Sequence, residues 1–269
     1  MTGITFGCIA PHPPLIVPGI GNETDKKPVS STITAMHNLA EQLSASRPDS
    51  VIVISPHNYY TETMNMTISL SDTSEGSLHE WGTEIPGLRF NNDRVLAQEI
   101  IDQSLEKELM VKPVTQKSYN LDHGILVPLH FLAGSIKGLP LVPISFSYLP
   151  LPSHFAFGKA IKEAAQKTGK RVAVIASGDL SHYLKGSHYG YRPEGEIFEK
   201  QLADALIKMD SAAVLNLDHG IIERAGECGL RSIIILLGAL DGLKVKVKIL
   251  SHEGPYGIGY MVASFNIKD

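Results

Sequence analysis

Cysteine and long apolar runs are both scarce in this chain. Cys8 and Cys228 are the only cysteines among 269 residues, too few for a disulfide framework or a cysteine zinc cluster. Apolar runs such as Ile233–Leu237 fall far short of the roughly 20 residues that a membrane helix needs. No basic region followed by an apolar stretch opens the chain, so we expect no signal peptide. These features predict a cytoplasmic protein that does not enter the membrane.

An excess of positive charge is missing as well. Lysine and arginine number 24 against 28 acidic residues, which gives a net charge of −4, and no basic block is present. The charge therefore predicts no general attraction to nucleic acid or to anionic membranes. The chain is 43% hydrophobic and 19% charged, as ordinary globular proteins are. We see no linker and no fixed-period repeat, and therefore expect one domain over residues 1–269.

Two apolar segments that each end in a Pro-His step organise the sequence. Ser50–Ser55 carries four consecutive β-branched residues and is followed by Pro56 and His57. Ile4–Ala10 is followed in the same way by Pro11 and His12. Continuous apolar runs are typical of parallel strands buried on both faces, and ligands bind at the carboxyl ends of such strands. We predict an α/β fold with a central, mostly parallel or mixed sheet and helices on both faces.

Other predicted strands and helices also end or begin at residues that can bind a metal or transfer a proton. A third buried strand, Arg171–Ala176, leads into Asp179 and His182, and a half-exposed strand from Val245 leads into His252 and Glu253. Asp122 is a predicted N-cap that places His123 in the first turn of a helix. The segments 13–28, 72–92 and 183–192 are predicted substrate loops beside these positions. Segment 72–92, which holds the only tryptophan, is predicted to contain short strands and is a candidate lid.

These residues predict a metal centre. His12, His57 and Glu253 are the proposed ligands, because two neutral imidazoles and one carboxylate are typical of non-haem iron(II) oxygenases. His252 is the alternative third ligand, and zinc would accept similar donors. His182 is then free for proton transfer.

The supporting roles fall to two neighbouring residues. Asp179 would orient His182 or cap the turn that follows, and His123 would donate a hydrogen bond to bound oxygen or substrate. Simpler explanations stay open. A single histidine after a strand is often structural, and Asp122 with His123 could be a helix cap alone. Cys8 is predicted to be a core residue, whereas Cys228 is a small core residue or lies near the site. A zinc hydrolase would use the same ligands.

Several short motifs, taken in order, resemble the class III extradiol ring-cleavage dioxygenases, the LigB superfamily. The closer similarity is to its Memo-like branch, the protein B component of AmmeMemoRadiSam systems. The resemblance covers most of the chain and rests on these segments: Ile9–His12, Ile54–His57, Asp122–Gly124, Ser177–His182, Glu227–Gly229, His252–Gly254 and Gly257–Tyr260.

The resemblance implies a LigB-like, phosphorylase/hydrolase-type α/β domain with Fe(II) held by His12, His57 and Glu253. It implies His182 as acid/base catalyst and His123 as a pocket histidine, with an aromatic diol and O2 as substrates and ring cleavage beside the diol. It also implies a homo-oligomer and an AMMECR1-type partner protein. Memo proteins have a cysteine where we place Glu253, whereas this chain keeps a carboxylate there and so retains the dioxygenase-type triad. The closer similarity to the Memo-like branch gives the alternative, a Memo-like metal-binding protein that acts through a partner or in redox signalling, without ring cleavage.

Overall fold

A computed structural model describes residues 2–57 and 64–268. The strands are β1 (Gly3–Ala10), β2 (Ser50–Ser55), β3 (Met66–Ser69), β4 (Thr73–Gly76), β5 (Leu88–Asn91), β6 (Val111–Val114), β7 (Ser118–Asn120), β8 (Leu141–Ser145), β9 (Arg171–Ser177), β10 (Val245–Glu253) and β11 (Tyr260–Ile267). The helices are α1 (Glu23–Lys26), α2 (Ser30–Ser46), α3 (Arg94–Leu105), α4 (His123–Leu132), α5 (Leu151–Lys167), α6 (Pro193–Ile207), α7 (Ser211–Leu215), α8 (His219–Ala225) and α9 (Leu230–Leu240). No helix in the described ranges is long and apolar enough to cross a membrane.

One mixed sheet forms the centre of the molecule. Within the described residues its eight strands run in the order β10-β11-β1-β9-β2-β8-β3-β6. Strands β1, β9, β2 and β8 are mutually parallel, whereas β11 and β3 run antiparallel to the strands beside them in this group. The register pairs Ala10 with Ser177 and Ser55 with Ser145, so the parallel strands end along one edge. The predicted mixed α/β sheet is confirmed, and this edge is where the predicted histidines follow.

Helices cover both faces of the sheet, as predicted. Ile52 and Ile54 of β2 pack into a buried apolar cluster with side chains of α3, α5 and α9. Val51 and Val53 of the same strand face the opposite way, into a cluster with α2 and α4. Alternate residues of a strand point to opposite faces, so an uninterrupted apolar run is required here. Cys8 lies in the second cluster and is fully buried, as a core cysteine should be.

Some element boundaries differ from the predicted ones for clear reasons. The Phe155–Lys167 stretch has the pattern of an amphipathic helix, but helix α5 already begins at Leu151, because Pro152 lies in its first turn, where a proline is tolerated. Strand β10 continues to Glu253 and pairs that residue with Tyr260. Residues 72–92 do contain the short strands expected of them, β4 and β5. Strand β7, which we did not predict, joins these two in a small second sheet in the order β5-β4-β7.

The backbones of helices α5 and α9 approach each other closely at two glycines, and this contact gives a stability prediction. A Cβ atom added at Gly158 would overlap the carbonyl oxygen of Ile235, and one added at Gly238 would overlap that of Phe155. We expect Gly158→Ala to lower the free energy of unfolding by about 2–3 kcal/mol, although alanine is the better helix former. Urea titration measures this change. The matched control is Gly134→Ala, whose Cβ meets open space and whose effect should stay within about 0.5 kcal/mol. Unchanged stability of Gly158→Ala would contradict the close packing of these helices.

Candidate metal centre

His12 and His57 meet beyond the carboxyl edge of the sheet. Each follows its strand after one proline, and the two Nε2 atoms face each other 3.0 Å apart. The rings lie edge to face, with centroids separated by 4.8 Å. His12 is buried, and burial together with the neighbouring histidines holds its pKa well below the ordinary value. Burial, and the repulsion that a protonated His123 would exert, lower the pKa of His57 to about 4. Both rings are therefore neutral near pH 7 and carry lone pairs.

The tautomer of His12 follows from its neighbour Ser177. The Ser177 hydroxyl donates its proton to the carbonyl of Gly124 at 2.5 Å, so the oxygen can only accept from His12 Nδ1, which lies at 2.9 Å. His12 must carry its proton on Nδ1, which leaves Nε2 as a lone-pair donor directed at His57. Histidines that bind metals are usually fixed in this way by a hydrogen bond to the other ring nitrogen.

Cys228 supplies the third donor atom of this cluster. Its Sγ lies 3.6 Å from His12 Nε2, and the donor atoms of His12, His57 and Cys228 are all within 4.8 Å of one another. The thiol is held by Asp179, whose backbone N–H donates to Sγ at 3.3 Å. The segment that carries Cys228 can approach the turn of Asp179 because Gly178 and Gly229 lack side chains there. A Cβ at Gly178 would overlap the backbone of Gly229.

Glu253 lies away from this cluster, contrary to the prediction that it completes the ligand set. Its Oε1 accepts hydrogen bonds from the backbone N–H and the hydroxyl of Thr32, at 2.9 and 2.6 Å. Thr32 is in the first turn of α2, where a carboxylate stabilises the helix. The reason is strand order. Strand β11 separates β10 from β1, so Glu253 lies on a strand about two strand spacings, or about 10 Å, from the strand that precedes His12.

The alternative ligand, His252, is also directed elsewhere. Its Nε2 lies 2.6 Å from a carboxylate oxygen of Glu199, and the other oxygen of Glu199 accepts the backbone N–H of Ser181. Neither candidate from the end of β10 belongs to the group of donors around His12 and His57, within the part of the chain that the structure describes.

His123 lies against the cluster, and its position depends on Asp122. The Asp122 side chain caps α4 by accepting the N–H of Ile125, and it also accepts the Ser55 hydroxyl at 2.6 Å. The cap therefore ties the start of α4 to the end of β2 and stacks the His123 ring on His57, with centroids 4.5 Å apart. Burial lowers the pKa of His123, so its ring is neutral at pH 7. The structure therefore shows the predicted helix cap and also brings the His123 ring against His57.

His182 approaches the same cluster from the turn after β9. Its Nε2 lies 3.9 Å from Cys228 Sγ, and its backbone N–H donates to the carbonyl of Ala225. Burial, and the repulsion that a protonated His57 would exert, lower the pKa of His182, so its neutral ring is an available proton acceptor near pH 7. The turn thus places a base beside the donor atoms without joining them.

Asp179 supports His12 rather than His182. One carboxylate oxygen accepts the backbone N–H of His12 at 3.0 Å, and the other lies 4.0 Å from His12 Nε2. Burial raises the pKa of Asp179 to about 7. The sequence predicts that Asp179 orients His182, but no hydrogen bond between these two described residues supports that role. Asp179 is instead hydrogen-bonded to His12 and to Cys228.

The donor set fits a borderline or soft divalent metal. Two neutral imidazole nitrogens and one sulfur suit zinc, iron or copper better than magnesium or calcium. Burial and the nearby Asp179 raise the pKa of the Cys228 thiol, so it needs a cation in contact to ionise. Cys228 was present in a motif of the sequence, but only the fold shows that its sulfur reaches His12.

The Ser177 hydroxyl gives a test of this arrangement. We expect Ser177→Ala to weaken zinc binding about 10- to 100-fold, because His12 loses the partner that fixes its tautomer. Competition with a chromophoric chelator measures the affinity. The matched control is Ser104→Ala, since that buried hydroxyl is used within α3 on the carbonyl of Ile100. Equal affinities of the two variants and the unaltered protein would show that Ser177 does not act on the ligand.

Comparison with known proteins gives the family context. Residues 7–263 match the model of the catalytic LigB subunit of aromatic ring-opening dioxygenase. A protein of Clostridium acetobutylicum is 32% identical over 94% of this chain and 56% of its own length. A MEMO1 family protein of Pyrococcus furiosus is 35% identical over 67% of this chain and 54% of its own. A 2,3-dihydroxyphenylpropionate/2,3-dihydroxicinnamic acid 1,2-dioxygenase of a Rhodococcus species is 26% identical over 70% of this chain and 59% of its own. The chain thus spans little more than half the length of these relatives.

A solved structure shares the architecture. The crystal structure of an uncharacterized protein from Escherichia coli K12 superposes with a TM-score of 0.67, covering 97% of this chain and 99% of that one. The sequences are 17% identical, so this similarity concerns the fold alone.

Proposed function

Because the chain belongs to the family of the catalytic LigB subunit of aromatic ring-opening dioxygenases, we propose that it is a metal-dependent dioxygenase acting on an aromatic diol. The ligands in this proposal are His12, His57 and Cys228. One observation carries it: three donor atoms from distant segments lie within 4.8 Å of one another at the carboxyl edge of a parallel sheet, where ligands of α/β proteins bind. Fe(II) is the metal that we propose for ring cleavage.

The metal ion, when bound, would supply the redox chemistry that joins a diol and O2. The residues of the protein would bind the substrate and transfer its protons. A diol hydroxyl must lose a proton to bind a cation tightly, and the neutral His182 ring, beside Cys228, is positioned to take it. His182 can then return the proton to the product.

His123 and Asp179 have supporting roles in the same proposal. The neutral His123 ring, stacked on His57, can donate a hydrogen bond to an oxygen of the substrate. Asp179 holds the His12 backbone and the Cys228 thiol through separate hydrogen bonds, so it positions two of the three donors. We assign it a positioning role.

A panel assay tests the proposal. The protein is loaded with Fe(II) under anaerobic conditions, mixed with catechol, 2,3-dihydroxyphenylpropionate or 2-aminophenol, and then exposed to O2. We expect oxygen uptake and a ring-opened product with at least one compound. Bound iron with no oxygen uptake for any compound would contradict ring cleavage.

The thiol donor favours a second candidate function. The third donor beside His12 and His57 is the Cys228 thiol and not the carboxylate of a dioxygenase-type triad, and the Pyrococcus furiosus relative belongs to the MEMO1 family. The chain would then be a metal-binding protein that acts through a partner, such as an AMMECR1-type protein, without ring cleavage. Co-purification of a stable partner by the full chain, unaffected by His182→Ala, would favour this candidate. A homo-oligomer is proposed for either function, and size-exclusion chromatography with light scattering tests it.

A further inference from the structure

Two large aromatic side chains are exposed next to the metal-centre histidines. Trp81 is 42% exposed and Tyr189 is 56% exposed. The Trp81 ring lies 5.5 Å from the ring of His123, which itself stacks on His57. The Tyr189 ring is nearly parallel to that of His182 at 6.1 Å. The two rings therefore stand at opposite ends of one chain of ring contacts and donor atoms.

Trp81 is held in place by its own segment. It ends a short 3-10 turn, His79–Trp81, whose N-terminal neighbour Leu78 is buried in the core. His79 Nε2 contacts the carbonyl of Ile85 at 3.1 Å, and the hydroxyl of Thr83 donates to the carbonyl of Pro18 at 3.4 Å. The turn is thus tied back on itself and to the loop after β1, so the indole is a fixed surface rather than a loose tip.

Tyr189 is tied to His182 through one hydroxyl. Ser187 Oγ donates to the carbonyl of His182 at 2.6 Å and accepts the backbone N–H of Tyr189 at 3.1 Å. His188 packs against the Tyr189 ring at 3.8 Å. Gly257 contacts the same turn, and a Cβ there would overlap the backbone of Ser187. The tyrosine is therefore coupled to the residue that we propose as the base.

We infer that Trp81 and Tyr189 are the specificity-determining walls of the metal centre and select a ligand with a planar ring attached to its chelating group. The inference rests on the proposed function for the site, but not on ring cleavage. Single exposed aromatic residues are ordinary on protein surfaces. Trp81, tilted against His123, and Tyr189, stacked on His182, each contact a histidine of the same cluster, so an aromatic ring lies at each end of the donor group. Stacked or edge-to-face rings attract one another.

A pair of chelators separates recognition of the ring from binding of the metal. Benzohydroxamate and acetohydroxamate bind zinc through the same two oxygens and differ in a phenyl ring against a methyl group. Zinc has no redox chemistry, so turnover does not interfere. Trp81 is the only tryptophan, and its fluorescence reports binding directly. In zinc-loaded protein we expect benzohydroxamate to bind about 10-fold tighter than acetohydroxamate, with saturable quenching.

Variants of the two walls identify the cause of that preference. Tyr189→Ala should weaken benzohydroxamate about 3- to 10-fold and leave acetohydroxamate unchanged, whereas Tyr189→Phe should retain the preference. Tyr191→Ala is the matched control, because that exposed ring contacts Lys185 instead of a histidine. Trp81→Ala, followed by calorimetry, should reduce the preference and Trp81→Phe should preserve most of it.

The outcomes separate this inference from the proposed function. Equal binding of the two hydroxamates, no binding of either, or a preference that survives both alanine variants would overturn the inference even if the iron protein cleaves a diol. A ring preference that depends on Trp81 and Tyr189 supports it even if no diol is cleaved, in which case only the proposed reaction fails.

Discussion

Replacing Cys228 with alanine is expected to abolish most of the metal binding. The sulfur is one of three donor atoms within 4.8 Å of one another, and the remaining two are imidazole nitrogens. Loss of a residue that merely supports a ligand costs about 10- to 100-fold in affinity, so loss of the ligand itself should cost about 100-fold or more. Competition titration with zinc, at constant pH, measures the change. Circular dichroism of the variant checks that the fold is retained.

Glu253→Gln is the control that distinguishes the two candidate ligand sets. The Glu253 carboxylate contacts Thr32 at the start of α2, so the amide should leave zinc affinity nearly unchanged. It should lower stability by up to about 1 kcal/mol, because a charge at a helix N-terminus is lost. Strong metal binding by Cys228→Ala, together with its loss in Glu253→Gln, would reverse the assignment and restore the triad predicted from the sequence.

His182→Ala is expected to lower kcat about 10²- to 10⁴-fold while the metal remains bound. The imidazole lies beside Cys228 without belonging to the donor group, and proton transfer by a positioned side chain is worth this much. Steady-state oxygen uptake with the best diol of the panel, at equal metal occupancy, gives kcat and KM separately. His219→Ala, which changes an exposed histidine at the start of α8, is the control. A variant that retains kcat would remove His182 from the reaction.

The sequence predicts the fold and the meeting of His12 with His57, because local patterns determine both. The uninterrupted apolar run of β2 requires a strand with two covered faces, and the clusters on either side of it confirm this. The repeated Pro-His step places His12 and His57 at the same edge of the sheet, and their Nε2 atoms do face each other. Asp122 caps α4, as its position before an apolar helix predicts.

The third donor could not be predicted because it depends on strand order. Glu253 and Cys228 both have side chains that can bind a metal. No local sequence pattern shows that β11 is inserted between β10 and β1. From the sequence alone, Cys228 could equally be a small core residue. Its place beside His12 depends on the close contact of Gly178 with Gly229, which are 51 residues apart in sequence. The ring contacts of Trp81 and Tyr189 depend on tertiary packing in the same way.

X-ray absorption at the zinc edge of the loaded protein tests the central claim most directly. Bound by His12, His57 and Cys228, zinc should show one sulfur neighbour at about 2.3 Å and two imidazole nitrogens at about 2.0 Å. A coordination shell made of nitrogen and oxygen alone would contradict the account.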